Sequence, residues 1–179
     1  MLNEAGKQAV PAGIVDPEAK GLSVAADFDD IDSPETYIGY SRFVGPEGSG
    51  PVHDVSHDYN APRDGLPHNA WGFRGTWTVG PEMAVLDKAS GGLVYRFHAR
   101  DLHLVLGPQD DGSSVKFRVT IDGALPGDKH GSDISADGTG AVTEQRLYQL
   151  VRQSGKIEDH TFEIEFLDPG VHAYSFTFG

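Results

Sequence analysis

The chain has 179 residues, 38% of them hydrophobic, no cysteine and a formal net charge of -13. That length suffices for one domain with a sizeable core, while the lack of thiols excludes disulfides, thiolate metal sites and thiol redox chemistry by these residues. Scattered cations among more numerous carboxylates exclude the clustered phosphate contacts that nucleic acid or an anionic membrane surface needs, and no apolar run is long enough to insert into a bilayer.

In chain order, residues 1 to 26 read differently from the rest. MLNEAGKQAV lacks the apolar core of a signal peptide, so none is expected there. Leu2 to Gly6 resembles the last turn of a helix closed by glycine, after which Pro11, Gly13, Pro17 and Gly21 interrupt any regular element. An acidic run follows from Asp27 to Asp32, and Ser33-Pro34-Glu35-Thr36 has the form of a helix start, predicting a short helical turn through Thr36 to Tyr40. Gly45 to Leu66 is rich in Gly, Pro, His, Asp and Asn and is expected to be a long surface loop.

Strand signals begin at Trp71 and continue through Phe73, Gly75 to Val79 and Met83 to Leu86. Three alternating runs then follow, Leu93 to Phe97, Leu102 to Leu106 and Val115 to Ile121, each closed by turn residues. A side-chain period of two places each apolar set on one face of a half-buried strand. Ala124 to Asp133 is a glycine-rich loop and Asp137 to Gly140 a turn. Residues 143 to 153 fit helix or strand by period, with strand favoured by Val142, Tyr148 and the surroundings. Thr161 to Leu167 and Tyr174 to Phe178 flank Asp168-Pro169-Gly170 and are expected to form a C-terminal hairpin. About eight to ten short strands with few helices predict an all-β fold, a two-sheet antiparallel β-sandwich of jelly-roll kind.

No catalytic motif accompanies these strands. His53 and His57 have a spacing that converges on a metal only in a helix, and Pro51 argues against one. His98 and His103 fall opposite their apolar neighbours and are expected to face solvent or loops. Glu163 and Glu165 sit about 7 Å apart on a wet strand face, with no apolar pocket to raise one of them for acid duty. Asp27 to Asp32 and the pair Asp133 and Asp137 could supply oxygen ligands to a structural calcium, but not at EF-hand spacing, so solvated loops are the simpler expectation and no cofactor is assigned. Aromatic side chains near loops or strand ends, Tyr37, Tyr40, Tyr59, Trp71 and Tyr148, suit stacking on a sugar face, whereas Trp77 and Tyr95 read as core. The candidate ligand site is Trp71, Arg74, Arg100, Asp101, His130 and Asp133, on loops over one edge of the sandwich.

SPETYIGY (33 to 40), ARDLHLVLG (99 to 107), FRVTIDG with the following PG and HGSD (117 to 133), RLYQLVRQ (146 to 153) and FEIEFLDPGVHAYSFTFG (162 to 179) together resemble the C-terminal domain of DipZ-type thiol:disulfide interchange proteins and related thioredoxin-family proteins. The resemblance covers about the last four-fifths of the chain. It implies residues 33–179 as a jelly-roll domain similar to a carbohydrate-binding module, and residues 1–32 as a linker with the remnant of a preceding thioredoxin-like domain. It further implies an extracytoplasmic setting, a thioredoxin-like domain of the same or a neighbouring chain as partner, and a glycan or protein client. The family's redox work needs a C-x-x-C pair that this chain lacks, so no catalytic residue carries over and no enzyme is expected. A purely structural role, packing on a thioredoxin-like module or forming a dimer, is the first alternative, and an independent hydrolase, a glycosidase or a metal-dependent enzyme, is the second and has the least support.

Overall fold

The structure is a computed structural model, which describes residues 30–45 and 47–179. The helix end expected at Leu2 to Gly6 and the first half of the acidic run, residues 27–29, lie outside them. Within the described residues eleven strands form a curled antiparallel sheet that folds over as a β-sandwich: β1 (Thr36–Tyr37), β2 (Ser56–Asn60), β3 (Trp71–Val79), β4 (Ala84–Leu86), β5 (Gly91–Phe97), β6 (Asp101–Gly107), β7 (Val115–Ile121), β8 (Thr139–Val142), β9 (Arg146–Arg152), β10 (His160–Phe166) and β11 (His172–Phe178). One layer runs β8-β7-β10-β5-β3 and the other β4-β11-β6-β9, with β1 added to β11 and β2 to β3.

The alternation seen in the sequence becomes the core. Leu93, Tyr95 and Phe97 of β5 and Phe162, Ile164 and Phe166 of β10 point inward against Leu102, Leu104 and Leu106 of β6 and Phe176 of β11, all without solvent exposure. Ring contacts cross between the layers, Tyr95 to Phe176 at 4.9 Å and Phe162 to Phe176 at 6.2 Å. Burying each such side chain is worth roughly 1.5–3 kcal/mol.

One strand joins the layers. Trp71 to Arg74 of β3 pair with Tyr95 to Gly92 of β5, whereas Trp77 to Val79 pair with Leu86 to Ala84 of β4. The switch falls at Gly75, whose φ of 95° is a left-handed conformation and whose missing Cβ would lie 2.6 Å from the Cα of Gly91. Glycine is needed there for both reasons.

Four expectations are corrected. The helical turn predicted from Ser33 is replaced by β1 and a 3-10 turn at Tyr40–Arg42. Ile38 is drawn into the core and its N–H donates to the Tyr174 carbonyl at 2.9 Å, so pairing with β11 wins over local helix propensity. The expected loop from Gly45 to Leu66 contains β2, an edge strand whose polar side chains carry no apolar alternation. Phe166 and His172 do not open a hairpin: β10 pairs with β5 and β7, β11 with β4 and β6, so the Asp168-Pro169-Gly170 turn is an arch between layers. β5 is not half-buried, because Gly91, Gly92 and the outward Val94 are covered as well. The stretch left between helix and strand is the strand β9, as favoured. Among the described residues no helix is long and apolar enough to cross a membrane.

Candidate functional site

The pairing of β1 with β11 sets Tyr37 opposite Ser175, and the 3-10 turn then brings the Arg42 guanidinium 4.4 Å above the Tyr37 ring. That separation suits a cation–π contact. Across from them Trp71 opens β3, edge-on to Phe73 at 5.3 Å and tilted to Phe176 at 6.1 Å. Between these walls lies a cleft of 640 Å³, lined by Pro34, Glu35, Thr36, Tyr37, Arg42, Phe43, Val44, Asn69, Trp71 and Tyr95. Phe43 and Trp71 also wall a neighbouring hollow of 230 Å³, beside Tyr59, Asn60 and Ala61. The two aromatic rings therefore form a ridge with a depression on either side.

Hydrogen bonds hold the walls. Thr36 Oγ1 meets Tyr95 Oη at 2.8 Å and donates to the Pro34 carbonyl at 2.9 Å, and burial pushes the Tyr95 hydroxyl pKa up. Tyr59 Oη accepts the Val52 N–H at 3.1 Å, which sets its ring 5.1 Å from Phe73. Aromatic faces flanked by one guanidinium and the Glu35 carboxylate can stack on a flat, partly apolar ligand and bond its edge. The cleft pairs no nucleophile with a base, and among the described residues no group of three or more His, Cys, Asp or Glu side chains is placed to hold a metal.

The six residues singled out in the sequence do not meet at one point. Trp71 lies in the cleft. Arg74 turns away from it, donating to the Ala61 carbonyl and lying 3.8 Å from Glu163 on the outer face of its layer. The other four gather around the β6–β9 pair. Asp101, its side chain 3% exposed, is held by Arg152 Nε at 2.6 Å and Arg100 Nη2 at 2.8 Å. Asp133 accepts from Arg146 at 2.9 Å and from the Gln149 N–H at 2.7 Å, and His130 Nδ1 bonds the Gly131 carbonyl at 2.8 Å. Asp101 and His130 also line a cavity of 370 Å³ with Arg152 and Ser154. The Asp133–Arg146 pair holds loop 127–133 along the edge of β9, where the Gly131 and Asp133 N–H groups donate to Leu150 and Gln149.

The histidines divide. His53 stacks on Tyr40 at 3.6 Å and His57 meets Tyr59 edge-on at 4.8 Å, in an extended segment without helical convergence. His98 contacts loops, as one of the two expectations had it, whereas His103 faces neither solvent nor a loop and is corrected. His98 is clamped between Asp30 and Asp159. His103 is buried on the outer side of β6, where loss of water lowers its pKa and its Nε2 has no hydrogen-bond partner. Glu163 and Glu165 do lie on a strand's outer face, each matched by arginine: Arg63 at 2.9 Å and Arg118 at 3.6 Å. Asp137 bonds Thr139 of its own turn, so its oxygens and those of Asp133 are committed to different partners. Arg42, Phe43 and Glu35 were missed by sequence reasoning; the dense aromatic and cationic run YIGYSRF was the available signal.

A family model described as the thioredoxin like C-terminal domain matches residues 33–179. The chain belongs to that family. Over 75 residues this thioredoxin-like C-terminal domain is 29% identical to Protein DipZ of Mycobacterium bovis, covering 42% of the chain and 11% of the relative, and it matches Protein DipZ of Mycobacterium tuberculosis to the same extent. The matched part thus spans about a tenth of the length of those curated relatives. The family match begins at Ser33, three residues before β1, and contains every strand.

Proposed function

We propose that this thioredoxin-like C-terminal domain is a non-catalytic accessory domain of an extracytoplasmic, DipZ-type thiol:disulfide protein, and that it binds a glycan in the Trp71 cleft. The observation that carries the reading is the cleft itself, two aromatic walls with the Arg42 guanidinium at one side. Sugars present apolar faces to stacked rings and hydroxyls to charged edges. The lack of cysteine supports a role beside the redox chemistry rather than in it. Alternation of β4 through β7 between the layers supports reading the sandwich as a jelly roll, and the family boundary supports residues 1–32 as a linker from a thioredoxin-like neighbour.

Titration of the full chain with a panel of neutral and acidic oligosaccharides, followed by tryptophan fluorescence, tests this. Binding is expected for at least one glycan class, with Trp71→Ala and Tyr37→Ala each weakening it tenfold or more, about 1.4 kcal/mol per decade, while the melting temperature stays near that of the parent. Silence across the panel would overturn the glycan reading. A protein client is the second reading, favoured by Val44 at the cleft rim, 93% exposed. In that case a thioredoxin-like domain or an extended peptide binds in trans and the same two variants abolish it.

A further inference from the structure

The segment that enters the domain is fastened to the end of β5. The Asp32 N–H donates to the His98 carbonyl at 2.9 Å, the His98 N–H donates to Ser33 Oγ at 2.8 Å, and Ser33 Oγ donates to Asn69 Oδ1 at 2.6 Å. Asn69 Nδ2 completes the circuit by donating to the Asp32 carbonyl at 2.9 Å. Over this backbone ladder lies a layer of charge. His98 Nε2 is 2.8 Å from Asp30 Oδ1 and His98 Nδ1 is 2.7 Å from Asp159 Oδ1. Next to it His68 Nε2 is 3.0 Å from Asp32 Oδ2 and His68 Nδ1 is 3.6 Å from Asp159 Oδ2, and Arg96 Nη2 reaches the same Asp159 oxygen at 3.5 Å.

Each imidazole here has a carboxylate at both nitrogens. A neutral imidazole carries one N–H and one lone pair, so it can donate to one carboxylate only and must turn its lone pair on the other. Both bonds of His98 are made only by the imidazolium. With His98 charged, it and Arg96 stand as cations among the three carboxylates of Asp30, Asp32 and Asp159; with His98 neutral, that offset is reduced by one charge.

We propose that His98 is a proton-operated clasp that holds the entering segment Asp30–Ser33 against the sandwich when protonated and releases it when neutral. The two carboxylates on His98 are also what raises its pKa above the ordinary 6.5, the Asp30 hydrogen bond being the larger cause, and His98 in turn lowers that of Asp159. The transition therefore falls on the alkaline side of about pH 6.5, within reach of physiological change. Released, the segment no longer fixes the direction in which the chain leaves the domain. Nothing in the clasp depends on a ligand, so it stands apart from the glycan reading.

Amide hydrogen exchange of the full chain, read residue by residue by NMR with histidine ring signals recorded alongside, tests the clasp without any ligand. Protection at the Asp32 amide is expected to fall tenfold or more between about pH 5.5 and pH 8.5, in step with titration of His98. In Asp159→Asn, an exposed change that leaves the core intact, the same fall is expected at lower pH. In His98→Gln the protection is expected to be low at both pH values. Equal Asp32 protection at both ends of the range, or a transition unmoved by Asp159→Asn, would overturn the proposal.

Discussion

Asp101 is the one acidic side chain in the buried set among the described residues, and two guanidiniums contact it. Its backbone also exchanges hydrogen bonds with Gly179, so the residue joins the start of β6 to the end of β11 through its backbone and to the end of β9 through its carboxylate. Asp101→Asn keeps the shape and removes the charge. Stripping one partner from a buried pair costs about 3–5 kcal/mol, and the partial exposure of Arg100 and Arg152 lowers the expectation to roughly 2–3 kcal/mol. Urea unfolding measures it, and a loss under about 0.5 kcal/mol would show that the ion pairs contribute little. The two tryptophans give a second residue-scale prediction. Trp77 has no solvent exposure and donates its indole N–H to the Arg74 carbonyl at 2.9 Å, whereas Trp71 is partly exposed in the cleft. In Trp71→Phe the remaining emission should be blue-shifted and indifferent to ligand; red-shifted emission would contradict the burial of Trp77.

Most elements were legible because large apolar residues recur with a period of two, most cleanly in β7 and β10, where one face packs and the other carries Lys, Arg, Thr or Glu, and also in β5 and β6, whose second face is largely covered. Partners were not, since alternation says which face a side chain takes and nothing about the neighbouring strand. The link after β5 read as a turn and the link after β10 as a hairpin, yet both cross between layers. In each an apolar residue sits in the connection, Ala99 in one and Val171 in the other, and both are completely buried. Gln153 Nε2 donates to the Ala99 carbonyl at 2.9 Å, and the Gly170 N–H donates to Leu86 at 2.7 Å, so these arches pass through the structure rather than over it. β2 escaped notice for the opposite reason: its partners are hydroxyls and carboxylates, such as Thr76 Oγ1 to Asp58 and Ser56 Oγ to Asp87. The cleft was half legible, because Trp71 and Tyr37 stood out as aromatics while Arg42 joins them only through the 3-10 turn. At the corner of β3, Gly75→Ala should cost about 2–3 kcal/mol, the sum of a left-handed φ and an overlap with Gly91. A melting temperature within a degree of the parent would mean that β3 bends elsewhere.

For the whole molecule, proton binding sets where stability peaks. His98 has its folded pKa raised above 6.5, chiefly by the Asp30 hydrogen bond, so its contribution is complete below about pH 6.5 and is lost as pH rises through the raised value. His103 behaves in the opposite sense: burial depresses its pKa, the folded protein resists charging it, and stability is lost as pH falls below about 6.5. Further into acid, Asp159, which His98 holds below its ordinary 3.8, loses its contribution as it takes up a proton. A net charge of -13 at pH 7 adds self-repulsion on the alkaline side. The stability curve should therefore peak near pH 6.5 and fall on both sides. Urea unfolding at fixed ionic strength from about pH 5 to pH 9 traces it, and the two histidines separate its limbs. His98→Gln should flatten the alkaline decline and leave the acid limb, while His103→Asn should flatten the decline just below pH 6.5 and leave the alkaline limb. An alkaline slope of the same size in His98→Gln would assign that limb to overall charge, and a parent curve still rising at pH 9 would show that neither histidine governs it.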